Sequence, residues 1–474
     1  MIRGKLKLRN SKGVALKAKW RWMIFIGALL LTAPAPVWAF TLFGDPNVLS
    51  PGQVWSLPFT LFGEQVTPRL DVDGFVRTQI LAEQLKAPEY GFDHYFRSLL
   101  VPEVDLEVNL QLTATQRIHM QFLPLDGGFA RPTQYEIYPG GGWTVRTVRD
   151  GGEPAEVWYE GEIFNWLAPK DQYPLDLNLA IGRFPLSFQN GILMNNIADG
   201  FAISKDNIQL FNWSNLNIIY FLTWGETQGG FTAEQQQQER KNLTGIDSDA
   251  DIGNYFVEGD FLASYDNPRT IQYPANLNRF FWALSVTRSI GEEGFTLRAI
   301  GSTGNQSQGN GQFFSLETTH EFMDTRPYFN IFGATKNFLT ASQQFDAPLI
   351  NEGILLTPDR LTPTPGLDGS ANDEIGGILG VILNPRGHTT FTPELGYTFD
   401  NTSNGNNQFG AAFQVQSDLA EYIVPGNTLQ AIAARGLLYG TLARLTLAGI
   451  YNQNSTVAGE SFDYISKLEL IYEF

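Results

Sequence analysis

The stretch Lys467-Leu468-Glu469-Leu470-Ile471-Tyr472-Glu473-Phe474 decides how the rest of the chain is read. Side chains of an extended strand point alternately to opposite faces. Leu468, Leu470, Tyr472 and Phe474 therefore share an apolar face, and Lys467, Glu469 and Glu473 share a polar one. A strand of this kind suits a soluble sheet or the wall of a membrane barrel. The choice between them depends on the remaining sequence.

The same pattern returns upstream. Val104, Leu106, Val108, Leu110 and Leu112 alternate with Glu103, Asp105, Glu107, Asn109 and Gln111, a tight turn follows at 113–116, and Ile118, Met120 and Phe122 then alternate with Arg117, His119 and Gln121. This is the two-residue period of a transmembrane hairpin, apolar outward and polar inward.

Residues 1–22 carry eight Lys or Arg and no Asp or Glu, and an apolar run follows from Met23 to Leu31. Val37-Trp38-Ala39 then offers a cleavage site before Phe40. This is the layout of a secretory signal peptide, expected over 1–39. The run is shorter than the roughly 20 residues of a spanning helix, and Pro34 and Pro36 interrupt it.

Past this leader no apolar helix of spanning length is found, while 13% of residues are aromatic, 47 are Gly and none is Cys. An exported chain without disulfides is held by a large core or by closed backbone pairing. In lipid, only helices and closed barrels satisfy their own backbone, so many alternating strands point to a barrel. The net charge of −17 argues against nucleic acid as a partner. Nothing in the sequence calls for a cofactor.

Connection lengths alternate. Short turns are expected near 113–116, 168–174, 214–215, 291–294, 324–327 and 384–389, with a longer one over 417–428. Long polar connections are expected over 81–101, 125–154, 186–205, 226–277 and 341–372, and shorter ones over 304–311, 401–407 and 452–460. Short periplasmic turns and long external loops characterise such barrels. The expected fold is therefore all-β, an antiparallel up-and-down transmembrane barrel over 67–474. It has about 16 strands, or 18 if 255–264 is a hairpin arm or 428–451 is two strands. Residues 40–66 form a short periplasmic segment in which Phe40-Thr41-Leu42-Phe43-Gly44 recurs as Phe59-Thr60-Leu61-Phe62-Gly63. Aromatic residues at expected strand ends, among them Trp158, Trp213, Trp224, Trp282 and Tyr328, suit the girdles of a membrane barrel.

The closing strand, the leader and the repeated hairpin pattern resemble Gram-negative outer-membrane porins over nearly the whole mature chain. The resemblance implies that Leu468, Leu470, Tyr472 and Phe474 are the signal read by the barrel-assembly machinery. It also implies residence in outer-membrane lipid and, as in general porins, a possible homotrimer. A local stretch, Leu177 to Pro185 followed by Gly191-Ile192-Leu193 and Asp199-Gly200, resembles the alginate-export barrel family and some substrate-specific porins. There the matching Arg lies near the pore, which implies that place for Arg183. A polyanion exporter would line its pore with Arg and Lys, in which this chain is poor, so the resemblance bears on fold and not on alginate.

Fixing the phase by the apolar face puts Arg69, Asp71, Asp73 and Arg77 inward on the first strand, and Glu103, Asp105 and Glu107 on the second. Arg117 and His119 follow, then Glu160 and Glu162, then Asp176, and much later Arg298. Such residues would line the pore, and the carboxylates among them would raise the local cation concentration. A barrel of this size leaves an aqueous channel. The expected function is passive diffusion of small hydrophilic solutes or ions with a cation preference. The alternatives are a specific barrel for saccharide or polysaccharide, and a structural or enzymatic barrel.

An enzyme is not expected. The chain has only four His, namely His94, His119, His320 and His388, and no Gly-x-Ser-x-Gly. The stretch 226–277 is the candidate loop to fold inward and narrow the pore. Within it, Asp247, Asp249 and Asp251 have the spacing of a calcium loop. Such a loop needs Gly at the sixth position, which here is Ile252, and Glu at the twelfth. No specific metal site is expected.

Overall fold

The computed structural model describes residues 68–87, 92–112, 116–127, 155–162, 177–210, 213–225, 240–266, 278–290, 293–304, 310–335, 338, 340–341, 374–400, 407–418, 441–454 and 459–473. It also describes short strand pieces between 53 and 66, between 131 and 145 and at 227–228. The chain is all-β. Its wall is 18 antiparallel strands. The first six are β1 (Arg69–Ala87), β2 (Phe92–Gln111), β3 (Gln116–Phe122), β4 (Glu156–Glu162), β5 (Leu177–Phe188) and β6 (Met194–Leu210). Next come β7 (Trp213–Gly225), β8 (Arg240–Ile252), β9 (Tyr255–Asp266), β10 (Arg279–Ile290), β11 (Glu293–Gly304) and β12 (Gly311–Thr319). The last six are β13 (Thr325–Ala334), β14 (Glu374–Leu383), β15 (Thr389–Asp400), β16 (Gln408–Asp418), β17 (Thr441–Asn454) and β18 (Gly459–Glu473).

Each strand pairs with its neighbours in sequence, and β18 returns to β1, where Leu468 faces Ile80, Leu470 faces Thr78 and Tyr472 faces Val76. Closure leaves no free edge, which is what a sheet in lipid requires. The alternation read from the sequence has its physical outcome in side-chain exposure. Ile80 is 49% exposed and its neighbour Gln79 only 4%; Phe261 is 71% exposed and Asp260 is 0%. Leu297, Phe314, Leu395 and Leu470 join the exposed apolar exterior, an arrangement stable only if that surface meets hydrocarbon. The fold thus places the protein in an outer membrane.

The strand number is 18, the alternative expected if 255–264 is a hairpin arm, and not 16, because 226–277 is not one external loop. Arg240–Ile252 and Tyr255–Asp266 are full wall strands paired from Lys241↔Asp266 to Ile252↔Tyr255. Only Gly253 and Asn254 join them, and Gly253 has φ +65°. Their outward face is weakly apolar, with Thr244, Ser248 and Gly259 beside Ile246 and Phe261, which is why the sequence reads there as a polar loop. The expected loop over 81–101 is likewise mostly strand, since β1 and β2 pair from Arg69↔Gln111 up to Ala87↔Phe92. Residues 214–215, expected as a turn, are strand, because β7 already begins at Trp213.

The expected leader, Asp176, Phe474 and the turns at 168–174 and 419–428 lie outside the described residues. Of the 40–66 segment, Gln53–Trp55 pairs with the start of β1, and Phe59–Leu61 pairs with Glu64–Val66.

Candidate functional site

The first four strands bring the expected charged residues onto one face. Across β1 and β2, Arg77 faces Glu103, Asp73 faces Glu107 and Asp71 faces Asn109. Across β2 and β3, Asn109 faces His119, and across β3 and β4, His119 faces Trp158 and Arg117 faces Glu160. All share the interior side of Gln79, opposite the exposed Ile80. The carboxylates are interleaved with partners. Arg77 Nε donates to Glu103 at 2.8 Å, and its guanidinium lies 3.8 Å from Glu469. Arg69 lies 3.5 Å from Asp71. Gln121 donates to Asp105 at 2.9 Å. His119 sits 3.2 Å from Glu160 and 2.6 Å from Asn109 Oδ1, and its ring stacks on Trp158 with centroids 4.6 Å apart. Trp158 is therefore an interior ring and not part of a lipid-level girdle. Glu162 faces Asn178 on β5. Although interior-facing, Asp73, Glu107, Arg117 and Glu160 are exposed, so they look onto open space.

The opposite side of the lumen is built differently. The β5–β6 hairpin leaves the wall and folds inward. Its hinge is a pair of glycines: Gly182 faces Gly200, and immediately beyond them Arg183 faces Asp199. The pairing of β5 with β4 ends at Arg183↔Val157. The register of β6 with β7 slips between Asp199 and Gly200. Gly182 has φ +135°, and a Cβ there would lie 2.3 Å from the Val157 carbonyl oxygen; one on Gly200 would lie 2.4 Å from that of Leu222. Only glycine permits this approach and this backbone.

Beyond the hinge the apolar phase inverts. Leu179 and Ile181 take the outward phase, whereas Phe184, Leu186 and Phe188 are buried inside. The tip turns through Gln189, Asn190 and Gly191 at φ 54°, 55° and 78°. Phe188 stacks on Phe221 of β7 at 5.1 Å. Ile192, Leu193 and Met194 are buried in a cluster with Leu262, Phe281, Ile300, Phe313 and Phe332. The backbone of Ala341, past β13, donates to Leu193 at 2.8 Å, so the start of the β13–β14 connection packs on the hairpin too.

Polar groups fix the tip. The Gln189 backbone donates to Glu258 at 2.8 Å and its side chain to Asp260. Arg298 donates from Nη1 to Gln189 at 2.7 Å, and its Nε lies 3.3 Å from Glu317. Arg298, expected at the pore, is instead the buried anchor under this hairpin. Tyr328, expected in a girdle, is buried inside and donates to Glu394.

Three findings were not read from the sequence. Among the described residues the element that folds inward is the β5–β6 hairpin, whereas 240–252 and 255–266 of the stretch 226–277 are wall strands; the signal in the sequence was the phase inversion at Gly182. Asp247, Asp249 and Asp251 lie in a wall strand, with Asp247 facing Asp260 and Asp249 facing Glu258. Glu258 is also the twelfth residue counted from Asp247, so the calcium spacing lacks only the Gly at its sixth position.

No family profile and no curated protein matches the chain. Among solved structures, the chain is similar to a BenF-like porin from Pseudomonas fluorescens Pf-5, with 11% identity, a TM-score of 0.53, and coverage of 85% of this chain and 98% of that one. It is also similar to Pseudomonas aeruginosa OccK2 (OpdF), with 9% identity, a TM-score of 0.51 and the same coverage. A further structure of OccK2 is in complex with glucuronate, again at a TM-score of 0.51. At these identities the likeness is one of fold, and that fold is the outer-membrane porin barrel.

Proposed function

We propose that this chain is an outer-membrane channel through which small hydrophilic solutes diffuse, with a preference for cations. The observation that carries the reading is the asymmetry of the lumen. The inward hairpin covers β7 to β13 with apolar packing, while Asp73, Glu107, Arg117 and Glu160 on β1 to β4 remain exposed. A passing solute would then travel along Asp71, Asp73, Glu103, Asp105, Glu107, Glu160 and Glu162. Arg69, Arg77, Arg117 and His119 stand beside these carboxylates but do not outnumber them. A net-acidic wall facing a narrow aqueous path concentrates cations and repels anions. One structural neighbour was solved with glucuronate; an acidic solute of that kind would meet repulsion along this wall.

No covalent chemistry belongs to this reading. The expected leader and the closing strand read by the assembly machinery fit an exported barrel.

Planar-bilayer recording tests it. Purified protein should form open channels whose reversal potential in a salt gradient has the cation sign. Neutralising Asp73, Glu103, Glu107 and Glu160 together should lower the cation preference. Absence of conductance would sink the channel reading, and an anion-signed reversal potential would sink the charge argument.

A further inference from the structure

Beneath the tip of the hairpin, the geometry points to a binding site for a hard divalent cation, Ca²⁺, made by Asp247, Glu258 and Asp260. Asp247 on β8 faces Asp260 on β9 directly, and Glu258 lies two residues from Asp260 on the same face. One carboxylate oxygen from each can be chosen so that all three lie within 4.8 Å of one another. Like charges directly opposed across a strand pair repel, and removal from water makes the repulsion worse.

Two further observations support a ligand at the cluster. Asp247 is 7% exposed and Asp260 is 0% exposed, and the Oδ1 atoms of both are buried without any hydrogen-bond partner. The cation bound to the same hairpin tip does not serve them. Arg298 is committed to Glu317 and to Gln189, and among the described residues no Lys or Arg makes an ion pair with the three carboxylates. The donors present reach other oxygens: Gln189 Nε2 bonds to Asp260 Oδ2, the Gln189 backbone to Glu258 Oε1 and Ser285 Oγ to Glu258 Oε2 at 3.4 Å. The orphaned oxygens are left for something else.

The donor set selects the ion. It is all oxygen and anionic, which suits Ca²⁺ or Mg²⁺ and not a soft metal. Three carboxylates, each able to bind through one oxygen or two, fit the high and flexible coordination of Ca²⁺ better than the strict octahedron of Mg²⁺. The site is not an EF-hand, because its ligands stand on paired strands whose carbonyls belong to the ladder. Since Gln189 bonds to two of the three ligands, an ion held there also braces the pore-narrowing hairpin against the wall. The site rests on this cluster alone, and its ion binding is measured without reference to what the channel conducts.

The test uses full-length mature barrel refolded in detergent, free of lipopolysaccharide and pretreated with a chelator. Equilibrium titration with Ca²⁺ alone, and separately with Mg²⁺ alone, should show one Ca²⁺ site per barrel. That site should be lost or weakened at least tenfold in the Asp247→Asn, Asp260→Asn double variant, with Mg²⁺ binding more weakly than Ca²⁺. Folding of the variant is checked by its heat-modifiable migration in a gel. If it does not fold, the half-buried Glu258→Gln is titrated instead and should also weaken binding. Addition of Ca²⁺ to the wild type should slow proteolysis of the 184–198 hairpin. Equal Ca²⁺ binding by wild type and a folded variant would overturn the site, as would a wild type that binds no Ca²⁺. Binding of Mg²⁺ in preference to Ca²⁺ would overturn the choice of ion.

Discussion

Two acidic stretches of the interior wall, one on β1 to β4 and one on β8 and β9, look alike on paper and behave differently in the fold. On the first, β1 and β3 carry the relief for the carboxylates of β2 and β4: Arg77 meets Glu103, Arg117 faces Glu160, and His119 and Gln121 bond to Glu160 and Asp105. Its outermost charges face open space. On the second, Asp247 faces Asp260 with no cation between them, under a hairpin that excludes water. The difference teaches that acidity alone does not define a role. A hydrated, interleaved wall can steer solutes, while a covered cluster of facing carboxylates needs a shared proton or a bound cation to relieve its repulsion.

Several substitutions would break or sharpen this contrast. The largest effect is expected at the anchor between the two environments. Arg298→Met leaves Glu317 charged and uncompensated, a loss of roughly 3–5 kcal/mol for a buried pair. It should appear as a lowered urea midpoint in detergent and as a wider, noisier channel as the Gln189 contact is lost. Next comes the hinge that creates the cover. Gly182→Val forces a Cβ against the Val157 carbonyl, with an expected cost of about 1–3 kcal/mol. If the hairpin is the constriction, single-channel conductance should rise with it.

The two walls should then respond with opposite signs. In chelator, Asp247→Asn removes a like-charge opposition and should stabilise the barrel by about 0.5–1 kcal/mol, a sign that reverses in excess Ca²⁺. Glu103→Gln removes the nearer of the two carboxylates beside Arg77, leaving Glu469, and should destabilise by about 0.2–1 kcal/mol, with or without Ca²⁺. The smallest effect belongs to Asp73→Asn. This exposed residue should shift the unfolding midpoint by less than about 0.5 kcal/mol while still lowering cation preference in reversal-potential measurements.

Much of the first wall was legible in the sequence. The residues from Arg69 to Glu162 were placed on one face because strong outward apolar residues, such as Val104, Leu106 and Val108, fix the phase of each strand. The second wall was not legible. Around Asp247 the outward positions are Thr244, Ile246 and Ser248, too weak an apolar stripe to distinguish a strand from a polar loop. For β5, the break in phase between Ile181 and Phe184 was present in the letters. A break of phase marks a change of environment without saying which environment follows.

The sequence by itself determined the class of architecture. A period of two, with one face apolar, can be satisfied in lipid only by closing the sheet, and the final strand has its natural partner in the first. Tertiary structure alone decided which hairpin turns inward and which carboxylates it covers. That outcome depends on Gly182 meeting Gly200 and on Gln189 reaching Asp260 and Arg298, contacts 71 and 109 residues apart. Local alternation sets the face of a side chain, but only closure of the whole wall sets what stands across from it.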